Sequence, residues 1–153
     1  PTIYLRWPNK AHLVLHALLS EVDESISFKK AASLRETLRK QLLGYVKLMN
    51  GPQGRIISTI IGGGQSDLEL LNAYRESWWA PRRAAARKAF AKAMAEGELN
   101  TEVDIDLAID LLFSPIWYRL LLKHAPINKE FAYALVDAAL TGLSPHVVRM
   151  HEP

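Results

Sequence analysis

Two consecutive stretches near the C-terminus constrain the fold of this chain most. Ile105, Leu107, Ala108, Ile109, Leu111, Leu112, Phe113, Ile116, Trp117, Leu120, Leu121 and Leu122 leave little of one predicted helix polar, and Phe131, Leu135, Val136, Ala138, Ala139 and Leu140 do much the same for the next. A helix that is apolar on more than one face must be covered on more than one face. In a chain of 153 residues the expected cover is the protein's own core on one side and a second copy on the other. That arrangement is an isologous four-helix interface, with Leu112, Ile116, Leu120, Phe131, Leu135 and Ala138 as candidate contact residues. The alternative is a helix pair at the centre of a monomer.

The rest of the chain reads as helix after helix. Leu13, Val14, Ala17 and Leu18 recur at helical spacing between Lys10 and about Val22. Ser33-Leu34-Arg35-Glu36 has the form of a capping box for a helix that ends at Asn50-Gly51, although that helix could begin near Ser27. Pro52 suits the first turn of a further helix, which carries Ile56, Ile57, Ile60 and Ile61 and which Gly62-Gly63-Gly64 should stop. Ser66-Asp67-Leu68-Glu69 is a second capping box opening a stretch to Glu96 that Pro81 must kink or divide. Gly97 ends it, Thr101 to Asp104 restarts the chain, and helices are expected to about His124 and from Asn128 to Gly142. Two-residue alternation is absent, so the fold class is all-α, with 49% hydrophobic residues to fill one sizeable core.

The first ten residues carry the functional signal. Thr2, Tyr4, Arg6 and Lys10 all hold hydrogen-bond donors that can reach phosphate oxygens or base edges, while Ile3 and Trp7, four apart, share an inward face. Asn9 is a good N-cap, which puts the Lys10 ammonium and the first amides of a new helix near one spot, a setting for an anion. This Thr-x-Tyr, Arg-Trp, Pro, Lys run resembles the end of the helix-turn-helix in the tetracycline-repressor (TetR) family of bacterial transcriptional regulators. Leu5 stands where many relatives carry a basic residue. The C-terminal pair is similar to the family's dimerisation helices, including a Ser-Pro break, Ser114-Pro115, followed by Trp117-Tyr118-Arg119.

The resemblance implies a TetR-like C-terminal helical bundle over residues 11–153, with 11–22 as the connecting helix and residues 1–10 as the end of a helix-turn-helix whose other helices lie upstream. Without them the fragment is expected to bind DNA weakly, because a lone recognition helix lacks its positioning helix. It further implies a cytoplasmic homodimeric repressor released from a palindromic DNA operator by a small apolar or amphipathic ligand, with no cofactor. Tyr45, Met49, Tyr74, Trp78, Phe90, Phe113 and Trp117 are the candidate pocket residues, since aromatic and Met side chains give apolar walls with a few polar tips. Taken singly, each is more readily explained as plain core than as pocket, since helical spacing of aromatics is what any bundle core shows. Trp78-Trp79 is the sharper clue: adjacent helix positions point about 100° apart, so one ring should face a cavity, a partner or solvent.

Other function classes find little support. Gly62-Gly63-Gly64 lacks the Gly-Lys-Ser/Thr ending of a phosphate loop. His12 and His16 are four apart but have no third metal ligand of fitting spacing, and Asp104, Asp106 and Asp110 are explained by helix capping and the helix dipole. No local signature gathers a catalytic nucleophile, and the absence of Cys excludes disulfides and thiol chemistry. No apolar run approaches the roughly 18 residues of a membrane span. Residues 1–97 carry 15 Lys/Arg against 8 Asp/Glu and residues 98–153 carry 4 against 8, so the basic side lies toward the DNA-reading end. The rival function is a helical homodimeric ligand-binding or interaction module with no DNA role.

Overall fold

The structure, a computed structural model, describes residue 15, residues 26–28 and residues 31–143. The candidate DNA contacts Thr2, Tyr4, Arg6 and Lys10, the His12/His16 pair and all of the connecting helix except Leu15 lie outside the described residues. Leu15 itself is helical and buried.

Among the described residues every regular element is helical: α1 (Leu34–Asn50), α2 (Pro52–Gly64), α3 (Leu68–Tyr74), a π-helical turn (Arg75–Trp79), α4 (Ala80–Ala95), α5 (Ile105–Leu122) and α6 (Lys129–Gly142). The ends follow local chemistry. The Ser33 hydroxyl accepts from the Glu36 amide, and the Glu98 carboxylate accepts from the Leu34 amide at 2.7 Å, so two side chains satisfy donors at the start of α1. Asp67, rather than Ser66, caps α3 through the Leu70 amide. Asp104 accepts from the Asp106 and Leu107 amides, and Asn128 from the Phe131 amide. Gly97, at φ 76°, takes the left-handed conformation that closes α4, with the Glu98 amide donating to the Ala93 carbonyl.

The glycine run and Pro115 differ from the sequence expectation, while Pro81 meets it. The glycine run does not stop α2 at its first residue; the helix continues through Gly64. Pro81 divides the long stretch in an unusual way: Ala80 donates to the carbonyl of Arg75, five residues back, making the π turn just ahead of the proline. Pro115, read as part of a break, lies inside a continuous α5 and merely withholds one ladder donor.

α1 runs antiparallel to α6, since Arg35 and Arg39 near its start both bond Asp137 late in α6, while Asn50 at its end donates to the Ile127 carbonyl just before α6. α2 packs on α1 and α3, and α4 lies along α5, which also touches α6. The core runs through all of them, from Leu38, Leu42 and Ile57 to Trp78, Phe90, Ala108, Leu112 and Val136.

Candidate ligand cavity and dimer face

Three helices and the π turn converge on a cavity of about 130 Å³. α1 contributes Gln41 and Tyr45, four apart and so on one face. α5 contributes Ile109, Phe113 and Trp117 at the same spacing, with Asp110 and Ser114 beside them. The π turn brings Trp78 and Trp79 to the same cavity although they are sequence neighbours. Arg82, Arg83 and Ala86 of α4, with Phe28, complete the wall.

The aromatic walls are mutually oriented. The Tyr45 ring is tilted 58° against Phe113 at 5.5 Å and meets Trp117 edge-on at 6.4 Å, both favourable arrangements for ring quadrupoles. Arg82 stacks its guanidinium over the Trp78 ring at 3.3 Å and donates to the Trp78 carbonyl. Arg83 bonds Asp106 at 2.9 Å and Asp110 at 2.6 Å, and its guanidinium lies 4.9 Å from the Trp79 ring centre. Burial pushes the Tyr45 hydroxyl up to about 12, against a smaller opposing pull from Arg82, so it is a neutral phenol near pH 7. Burial likewise raises Tyr74.

Of the seven aromatic and Met positions singled out in the sequence, Tyr45, Trp78, Phe113 and Trp117 line this cavity. Tyr74 and Phe90 do not: both are buried core residues whose size fills the bundle. Met49 opens instead on a separate recess between the end of α1 and the α5–α6 connection. Sequence reasoning missed Gln41, Arg82, Arg83 and Asp110. Gln41 was detectable as the one carboxamide on the otherwise apolar stripe Leu34, Leu38, Leu42, Tyr45 and Leu48.

The candidate dimer contacts divide as well. Leu112, Ile116 and Leu120 are buried within the chain's own core, where α5 packs on α2, α4 and α6; they are therefore not a free surface. The exposed apolar stripe of α5 is one step around the helix, at Leu107, Leu111, Tyr118, Leu121 and Leu122. On α6, Phe131 and Leu135 are half-buried and packed against the core, and Ala138 is exposed. Asp104 caps α5 as expected, whereas Asp106 and Asp110 pair with Arg83, and among the described residues no group of three acidic or His side chains could hold a metal ion. No described helix is long and apolar enough to cross a membrane.

The bundle now has a recognisable counterpart. Residues 29–139 match the family model described as "Tetracyclin repressor-like, C-terminal domain". The chain belongs to the TetR family of transcriptional regulators. It is 31% identical over 142 residues to the uncharacterized HTH-type transcriptional regulator YdeS of Bacillus subtilis (strain 168), covering 93% of this chain and 72% of that protein. Its fold superposes on the crystal structure of the TetR family transcription regulator SCO0332 with a TM-score of 0.86 at 33% identity, over 94% of this chain and 80% of that one. This TetR-like regulator thus has an all-α C-terminal bundle of the family's kind, and members of the family bind DNA operators and act as dimers. Family membership sets aside the reading of the chain as a module with no DNA role.

Proposed function

We propose that the chain is the ligand-sensing part of a non-enzymatic cytoplasmic repressor. It acts as a homodimer on a palindromic operator and is released when a small molecule occupies the cavity between α1, the π turn, α4 and α5. Residues 1–10 form the end of the DNA-reading motif, with Thr2, Tyr4, Arg6 and Lys10 on the DNA and residues 11–22 connecting it to the bundle. The carrying observation is the aromatic cavity that four side chains of three different elements, Tyr45, Trp78, Phe113 and Trp117, line together. A single-purpose structural core would close such a space, since interiors pack to crystal-like density.

The mechanism is a two-state one. Ligand favours a bundle conformation in which the connecting helix swings and the two recognition helices no longer match successive major grooves. The uncovered leucines of α5 support a second copy as the missing cover, with Leu107, Leu111 and Tyr118 joined by Phe131, Leu135 and Ala138 of α6.

Fluorescence anisotropy with the intact protein, on DNA flanking its own gene and on random DNA at two salt concentrations, tests the reading. Selective binding by one dimer per site is expected, and so is its loss on adding a cavity-binding compound. Equal, steeply salt-sensitive binding to both DNAs, or operator affinity untouched by every compound that occupies the cavity, overturns it.

A further inference from the structure

The recess on which Met49 opens is cationic. It has a volume of about 450 Å³, and Arg55 of α2, Arg119 near the end of α5, and Lys123 and His124 of the α5–α6 connection line it with no carboxylate among the lining residues. Elsewhere in the bundle basic side chains are matched: Arg35 and Arg39 bond Asp137, Arg83 bonds Asp106 and Asp110, and Lys92 pairs with Glu96. Among the described residues no acidic side chain pairs with Arg55, Arg119 or Lys123. The helix ends do not balance these charges. The C-terminus of α5 supplies about half a negative charge and the N-terminus of α2 about half a positive one, and the first turn of α2 holds no acidic residue.

Two of the cations are held in place. The Arg119 guanidinium lies 3.6 Å from the Phe131 ring centre, and its Nη1 donates to the Pro126 carbonyl at 2.6 Å. The rest of its N–H fork has no partner among the described residues. Lys123 is the C-cap of α5, in the left-handed region at φ 54°, with its amide donating to the Arg119 carbonyl at 2.9 Å. Glycine is the common residue at such a helix end, and a residue with a Cβ is strained there. Lysine at this place adds a cation to the recess that closing the helix does not require.

We infer that this recess binds the dianionic phosphate group of a small organic phosphate, with Arg55, Arg119 and Lys123 on its oxygens and the organic part against Met49, Leu120 and Pro126. The planar Arg fork matches phosphate oxygens two at a time and Lys adds a point charge, whereas a carboxylate sets a single negative charge against three cations. The recess is roomier than a bare phosphate needs, and Met49, Leu120 and Ile127, each less than a tenth exposed, give it an apolar lining. It shares no lining residue with the aromatic cavity, so the inference stands apart from the ligand switch proposed above.

Isothermal titration calorimetry of the full-length protein with monobutyl phosphate, inorganic phosphate and butyrate is the test, in phosphate-free, low-salt buffer at about pH 8, where a phosphomonoester is dianionic. Monobutyl phosphate should bind at least about tenfold more tightly than butyrate, which keeps an alkyl chain and halves the charge. It should also bind more tightly than inorganic phosphate, which lacks the apolar part, and added salt should weaken it. Arg55→Gln should lower its affinity about tenfold. Lys123→Gly should do the same with Tm equal to or above wild type, because glycine relieves the left-handed strain, so affinity falls in a protein that is no less folded. Butyrate equal to monobutyl phosphate, no binding of monobutyl phosphate, or affinity unchanged in both variants overturns the inference. Binding that survives both variants but falls in Arg83→Gln overturns it too, by placing the anion in the aromatic cavity. Anisotropy with random duplex DNA separates a small phosphate from the DNA backbone: if both variants weaken DNA binding while monobutyl phosphate does not bind, the recess is a backbone contact and the small-molecule site is refuted.

Discussion

Leu111 and Leu112 are neighbours on α5 that face opposite environments: Leu112 is fully buried in the chain's own core, whereas Leu111 is 53% exposed. Adjacent helical positions point about 100° apart, so a helix apolar all round must leave one of such a pair outside unless something else covers it. Leu111→Asp should therefore convert a dimer into a folded monomer, with an unchanged helical circular-dichroism spectrum and about half the mass by light scattering. Leu112→Ala should leave the association intact and cost about 2–5 kcal/mol of stability, the usual range for a leucine removed from a packed core. A Leu111→Asp protein that remains dimeric would move the interface elsewhere.

A side chain at Gly54 would collide with the preceding helix. A Cβ built there lies 2.1 Å from the Met49 carbonyl oxygen and 2.6 Å from its carbon. These are backbone atoms, so no rotamer change relieves the clash. Gly54→Ala gains about 1 kcal/mol in helix propensity yet forces the α1–α2 corner apart, and overpacking of this kind costs about 1–3 kcal/mol. The net expectation is a Tm lower by several degrees in calorimetry, and a Tm equal to or above wild type would contradict the close approach.

The α4–α5 contact should weaken in acid. Partial burial alone would raise the Asp106 carboxyl, but the hydrogen bond from Arg87 and the charges of Arg83 and Arg87 outweigh it, and the net shift is downward. A carboxyl lowered in the folded state stabilises above its unfolded value, about 3.9, and that contribution disappears as pH falls through the lowered folded value. Asp106→Asn is therefore expected to lower Tm at pH 7 by about 1–3 °C, with the gap to wild type closing below about pH 4 and shrinking in high salt. A gap independent of both pH and salt would assign the effect to packing rather than charge.

How far the sequence foretold this structure depends on which contacts are local. Helix ends were legible because capping acts within four residues: Ser33, Asp104 and Asn128 cap where the sequence placed helix starts. The TetR resemblance led to the correct family. The faces of α5 were not legible, because a helix apolar at Leu111 and Leu112 alike gives no polar stripe from which to infer its rotation, and the core edge was assigned to the partner. Nor was the π turn, which places Trp78 and Trp79 on one cavity where ideal α-helical spacing would separate them. Sorting Tyr45 from Tyr74, or Phe113 from Phe90, required the long-range packing of α1 on α5, which no local pattern encodes.

Phe113 should set the size of the ligand. Its ring lines the cavity and meets Tyr45 in the 5.5 Å tilted contact, while Trp117 meets the same ring from one turn further along. Phe113→Ala removes one of those two restraints and adds roughly a benzene's volume to a space of about 130 Å³. Because Phe113 is only half-buried, the stability cost should fall at the low end of the range for aromatic truncation, about 3 kcal/mol. If the surrounding helices stay in place, the enlarged cavity should bind 1-naphthol more tightly than phenol, reversing the wild-type order. Titration calorimetry on the two proteins checks this. A variant that keeps the wild-type order would mean that Tyr45 and Trp117 have collapsed into the vacated space, so that the slot is defined by their mutual contact rather than by Phe113.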